Sequence, residues 1–295
     1  MPKAKANGMD LHYEEWGDPA APPVLLIMGL GTQMIAWPEA FVWGLVEAGF
    51  RVIAFDNRDI GLSTRMDGAP AMHPLLALGM LRMGLRPRLA YTLTDMAADA
   101  VGLLDALGIA RAHVVGASMG GMIAQLVASG WPDHVLTLTS IMSASGRRGL
   151  PGPSPALRRR LLRRRPSDPT REEAVVDAVA TLEAISHADP SRDSLAFRDM
   201  AARAFDRGYN PQGAKRQLLA ILADGSRVDR LRTIRTPTLV IHGAADPLVP
   251  AANSEDIARV VPGARLVIVP GMAHDFPPSK VSEMVRTIVE HLARG

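Results

Sequence analysis

Cysteine is absent from the 295 residues. Disulfide frameworks, thiolate-rich zinc or iron–sulfur sites and a thiol nucleophile are thereby excluded, while the compartment stays open. Aromatic residues make up only 4% of the chain, and lysine occurs just four times, at Lys3, Lys5, Lys215 and Lys280. With 33 basic against 30 acidic residues the formal charge is only +3, so the high isoelectric point reflects arginine and not a broad cationic footprint. Nucleic-acid binding, which needs a basic surface and often stacking aromatics, is not expected. One dense cluster, Arg158, Arg159, Arg160, Arg163, Arg164 and Arg165, reads as a solvated helix face or loop.

Long apolar runs are missing too. VLLIMGLG, the longest near the start, is far short of the ~20 residues of a membrane span. The N-terminal lysines are followed by no apolar segment, so no signal peptide is read and a cytoplasmic location is expected. The eight histidines include no HExxH or comparable ligand spacing, and neither a metal nor a cofactor is expected.

Short apolar runs alternating with helical patterns dominate what is there. Residues 10–16 read as an edge strand. PVLLIM (23–28) and RVIAF (51–55) are continuous apolar runs stopped by Gly29 and Asp56, as in strands buried on both faces of a parallel sheet. Thr92 and Asp95 are spaced as a capping box for a helix ending near Leu107, with Gly108 as its stop. Strands at 112–116, 134–140, 237–243 and 265–270 alternate with helices at 119–129, 254–261 and 280–292. This order predicts a mainly parallel α/β sheet covered by helices on both faces. From about Ser143 the rhythm breaks into Gly- and Pro-rich sequence and then helices without a strand, until Pro237. We read residues 1–142 and 236–295 as two parts of one core and 143–235 as an inserted helical cap. AMHPLLALGMLRMGL (71–85) is a smaller apolar excursion, either core or the wall of a greasy pocket.

The sharpest local signal is Gly116-Ala117-Ser118-Met119-Gly120, which joins a strand to a helix. Small residues two positions either side allow a sharp turn that pushes Ser118 out of the sheet, beside the unbonded amides of a helix N-terminus. A serine hydroxyl needs a base, and the base needs an orienting group. Two later strand ends supply them: Asp246 in IHGAADPLVP and His274 in PGMAHDFPP. Upstream, Gly29-Leu30-Gly31-Thr32 lets backbone approach the same point, so the Leu30 and Met119 amides form a candidate oxyanion hole. Plainer readings exist for each group: Ser118 as a turn residue, Asp246 as a cap before Pro247, His274 as a structural loop histidine. His242 is read as packed at a strand end, Asp275 as pointing away, and Asp56, Arg58 and Asp59 as a structurally paired loop.

With these motifs the chain resembles the α/β-hydrolase superfamily over nearly its whole length, and is similar to the esterase branch that includes aclacinomycin methylesterase. The segments that carry the likeness are MGLGTQMIAWPEAF, VIAFDNRDIGLST, HVVGASMGGMIAQ, IHGAADPLVP and PGMAHDFPP. The resemblance implies an α/β-hydrolase fold with Ser118, His274 and Asp246 at the nucleophile, base and acid positions. Two departures stand out: Met28-Gly29 replaces a common His-Gly, and Arg58-Asp59 replaces a common Arg-Gly. The expected activity is hydrolysis of a small to medium, mostly apolar carboxylic ester. Lactonase, thioesterase, perhydrolase or carbon–carbon hydrolase chemistry on the same residues is an alternative, and a non-catalytic ligand-binding protein is another. The expected partner is a small-molecule ester; a homo-oligomer is compatible with the apolar cap.

Overall fold

The computed structural model describes residues 2–162 and 169–295. In chain order the strands are β1 (Lys3–Ala6), β2 (Met9–Trp16), β3 (Pro23–Ile27), β4 (Arg51–Phe55), β5 (Ala112–Ala117), β6 (Val135–Ile141), β7 (Thr238–Gly243) and β8 (Arg265–Val269). They form a single eight-stranded sheet in the order β1-β2-β4-β3-β5-β6-β7-β8. The first two strands pair antiparallel, β2 also pairs antiparallel with β4, and every further pairing is parallel.

The continuous apolar runs follow from this arrangement. Leu25 and Ile27 of β3 belong to the core cluster on one face, Val24 and Leu26 to the cluster on the other. Side chains that alternate between two covered faces must all be apolar. One face is covered by α3 (Leu93–Ala106) and α4 (Met119–Gly130), the other by α1 (Glu39–Glu47) and α11 (Pro278–Leu292). The capping box at α3 is formed in both directions, Thr92 Oγ1 accepting from the Asp95 amide and Asp95 accepting from the Thr92 amide. The remaining core helix, α10 (Ala252–Val260), packs on β7 and β8.

Residues 10–16 are not at the sheet edge as the sequence predicts. β1 adds one strand outside β2, with Ala4 and Ala6 buried toward α3 and Lys3 and Lys5 turned out. Four residues of alternating Lys and Ala carry too little apolar signal to be read as a strand.

Between β6 and β7 the chain forms an inserted cap of helices: α5 (Pro155–Leu162), α6 (Arg171–Ile185), α7 (Ala196–Gly208), α8 (Pro211–Asp224) and the short α9 (Val228–Leu231). Of the arginine cluster, Arg158, Arg159 and Arg160 lie in α5, and Arg163, Arg164 and Arg165 fall outside the described residues. The apolar excursion contains a helix, α2 (Pro74–Arg82), that packs against α8. Among the described residues no helix is long and apolar enough to cross a membrane.

Candidate active site

Every candidate group sits just beyond the carboxyl end of a parallel strand, where open α/β sheets gather ligands. The turn after β5 is strained at its apex: Ser118 has φ 55° and ψ −117°. A non-glycine residue in that region costs on the order of 1–3 kcal/mol and persists only when its surroundings impose it. Here they do. The Ser118 amide donates to the Ile141 carbonyl at 2.9 Å, and the Ser118 carbonyl accepts from Ser143 Oγ at 2.8 Å. A Cβ on Gly116 would overlap the Gly120 carbonyl, and one on Gly120 would overlap the Ile27 carbonyl, so both glycines of the motif are sterically required.

The loops after β7 and β8 complete the arrangement. His274 Nε2 lies 2.9 Å from Ser118 Oγ, and its Nδ1 lies 2.7 Å from Asp246 Oδ2. Three side chains separated by 156 and 28 residues thus form one hydrogen-bonded line. Asp246 and His274 are buried, while Ser118 keeps partial exposure. Asp246 Oδ1 accepts from the Leu248 and Val249 amides, each at 2.8 Å. Burial pushes this carboxyl up, but hydrogen bonds from His242 and His274, the His274 charge and the Val249 amide outweigh it and hold Asp246 down at about 2. It is a carboxylate at any ordinary pH.

The loop after β3 stands against the same serine. A Cβ on Gly29 would lie 3.2 Å from Ser118 Cβ, tighter than ordinary contact, so glycine lets this backbone close in. Among the described residues the Leu30 and Met119 amides donate to no protein acceptor. Unlike those two, the Gly31 amide is engaged: it donates to Gln217 Oε1 at 2.8 Å, and Gln217 Nε2 donates to the Arg58 carbonyl at 3.0 Å. A buried side chain of α8 in the cap therefore fixes the loop that carries Leu30.

The charged loop after β4 is paired structurally, as its sequence suggested. Asp56 accepts from Met34 and Leu62 amides and from Arg207 of α7. Arg58 bonds Asp99 through two 2.5 Å contacts. Asp59 is met by Arg216 of α8 at 2.6 and 2.8 Å and by the Tyr91 hydroxyl at 3.0 Å. Asp275 points away from the serine, to Arg192 of the cap.

Two groups were not singled out from sequence. Gln217 left no local signal, because its partner Gly31 is 186 residues away. His242 is packed at the strand end, fully buried, as the sequence predicts, but its Nε2 also lies 3.2 Å from Asp246 Oδ2. The four-residue spacing across the turn after β7 was the available clue. Among the described residues no group of three His, Asp or Glu side chains forms a metal site.

Comparison with known proteins agrees with this architecture. The family model described as the alpha/beta hydrolase fold matches residues 22–280. A rhodomycin D methylesterase of Streptomyces peucetius is 30% identical over 298 residues, covering 95% of this chain and 94% of its own. The crystal structure of an enol-lactonase from Burkholderia xenovorans LB400 is 26% identical, with a TM-score of 0.75 over 99% of this chain and all of that one. A meta-cleavage product hydrolase from Pseudomonas fluorescens IP01, at 21% identity and a TM-score of 0.75 over 99% of this chain and 97% of its own, shares the fold. The chain therefore belongs to the α/β-hydrolase family and is homologous to its methylesterase branch.

Proposed function

We propose that this hydrolase cleaves carboxylic esters by acyl transfer through Ser118. The observation that carries the reading is the continuous Ser118–His274–Asp246 line, at 2.9 and 2.7 Å. In this reading Ser118 Oγ attacks the ester carbonyl carbon while His274 Nε2 takes its proton. Asp246, already ionised, orients the ring and stabilises the imidazolium. The Leu30 and Met119 amides receive the negative charge on the carbonyl oxygen. Collapse of the tetrahedral intermediate breaks the C–O bond, and His274 returns the proton to the leaving alkoxide. A water deprotonated by His274 then releases the acid and restores Ser118.

The 30% identity to a methylesterase over nearly the full length of both chains supports an open-chain ester. The likeness to an enol-lactonase favours a second reading, an internal ester, where the leaving alkoxide stays tethered to the acyl group. A matched panel of open-chain esters, thioesters, lactones and β-diketones distinguishes these: rapid lactone opening without p-nitrophenyl ester turnover would displace the first. Ser118→Ala and His274→Ala are each expected to lower kcat by roughly 10⁴-fold or more with the fold retained. A fluorophosphonate adduct on Ser118, detected by intact mass, is the direct check. Unchanged turnover in either variant rejects that residue's role, and a folded protein that takes no label favours a non-catalytic binder.

A further inference from the structure

Helix α2 has the wrong outer face for a helix in water. Its inner side, centred on the buried Ala77, rests on α8. At 3.6 residues per turn, Leu75, Leu76, Gly79, Arg82 and the cap residue Met83 fall together on about a third of the helix circumference opposite Ala77. A surface helix places polar residues there. Here Leu75 is 51% exposed, Leu76 59% and Met83 69%, and Leu85 just beyond is 52% exposed. Four of the seven exposed large hydrophobic side chains among the described residues lie in this one excursion.

The charges within this segment have one sign. From Gly68 to Thr94 the chain has no Asp or Glu, and its only charged residues are Arg82, Arg86 and Arg88. All three are exposed, and none pairs with a carboxylate among the described residues. Elsewhere arginines divide: Arg58, Arg192, Arg207, Arg216 and Arg227 meet acidic partners, whereas Arg148, Arg203 and Arg286, like these three, have none among the described residues. A two-fold contact between copies through this segment alone would bring Arg82, Arg86 and Arg88 together with no Asp or Glu from residues 68–94 to answer them. Exposed aliphatic side chains followed along the same segment by exposed arginines fit the boundary of an anionic bilayer, where acyl chains receive the first and headgroup phosphates the second.

We propose that α2 and the segment through Arg88 form a peripheral docking surface for anionic phospholipid membranes. The protein lies on the bilayer and does not span it. The inference uses none of the candidate catalytic residues and stands apart from the ester-hydrolase reading.

The test is co-sedimentation of the full chain with vesicles of phosphatidylcholine alone or mixed with phosphatidylglycerol. Binding is expected on the mixed vesicles and to weaken as sodium chloride is raised. Each cation near such a surface contributes about fivefold to partitioning, so Arg82→Gln/Arg86→Gln/Arg88→Gln should weaken it on the order of 100-fold. Leu76→Ser/Met83→Ser, which removes only outward side chains, should also release the protein, with circular dichroism and Tm unchanged. Absence of sedimentation, equal binding to neutral vesicles, or binding by folded variants equal to that of the parent would overturn the proposal. So would a dimer in light scattering that the Leu76→Ser/Met83→Ser change dissolves, which would make this face a contact between copies.

Discussion

Asp246 is gripped on both oxygens. Oδ1 takes two backbone amides, and Oδ2 faces His274 Nδ1 on one side and His242 Nε2 on the other. His242 Nε2 also lies 2.6 Å from the Val249 carbonyl. Carbonyl and carboxylate oxygens only accept, so this nitrogen carries the proton. On its far side Nδ1 meets Ser254 Oγ at 2.6 Å, which locks the ring. In the proposed mechanism His242 is a positioning residue that acts through Asp246. His242→Phe is expected to lower kcat roughly 10- to 100-fold with KM unchanged, the usual range for partners that orient a ligating or catalytic group from behind. His242→Gln, which returns an N–H near the Nε2 position, should recover most of the loss. A merely structural role predicts lower Tm in both variants with no such difference in kcat. The three aligned side chains themselves were legible in sequence because each follows a strand in its own short motif. The contact behind them was not, because it depends on how tightly the chain turns between Gly243 and Asp246.

At the level of strands and helices, apolar periodicity and caps located most elements, and their failures have physical causes. The helix at α3 could be read because Thr92 and Asp95 form its cap locally. α2 could not, because apolar residues on its outer face erase the polar–apolar contrast that marks a surface helix. Polar residues inside the sheet layer also escape periodicity. His113 on β5 is buried, its Nδ1 2.9 Å from Thr137 Oγ1 on β6. Burial, aided by the His291 and Arg111 charges, holds His113 down at about 4; burial likewise lowers His12, with Arg207 adding to it, and His291, with Arg294 and Arg265 adding to it. An unfolded histidine takes its proton near 6.5, so between about 6.5 and 4 the unfolded chain binds more protons than the folded one. Stability is then complete above about pH 7 and falls as pH drops through this window. Urea titrations should show the loss, and His113→Leu should shrink the difference between pH 7 and pH 4.5 by about 2 to 3 kcal/mol. An unchanged difference would mean that His113 does not drive it.

For the molecule as a whole, the cap is bolted to the core at the loops that carry the candidate site. Arg207 and Arg216 reach Asp56 and Asp59, Gln217 holds Gly31, the His274 amide donates to the Ile185 carbonyl, and Arg192 meets Asp275. None of these long-range pairings was legible, since the cap residues involved occur without a motif. Their energetics depend on completeness. Arg216 and Asp59 are both buried, and the bonds from Arg216, the Met66 amide and Tyr91 offset the burial that pushes the Asp59 carboxyl up, holding it below its ordinary value. Removing one partner strands the other charge, so Arg216→Met is expected to cost about 3–5 kcal/mol, measured by urea unfolding at pH 7. Asp59 has φ 72°, a conformation that asparagine tolerates, so Asp59→Asn can neutralise it without new backbone strain. The double variant should therefore recover much of the stability lost by Arg216→Met alone. Strict additivity of the two single losses would show that the ion pair does not couple cap to core, and that packing of α8 alone holds the cap in place.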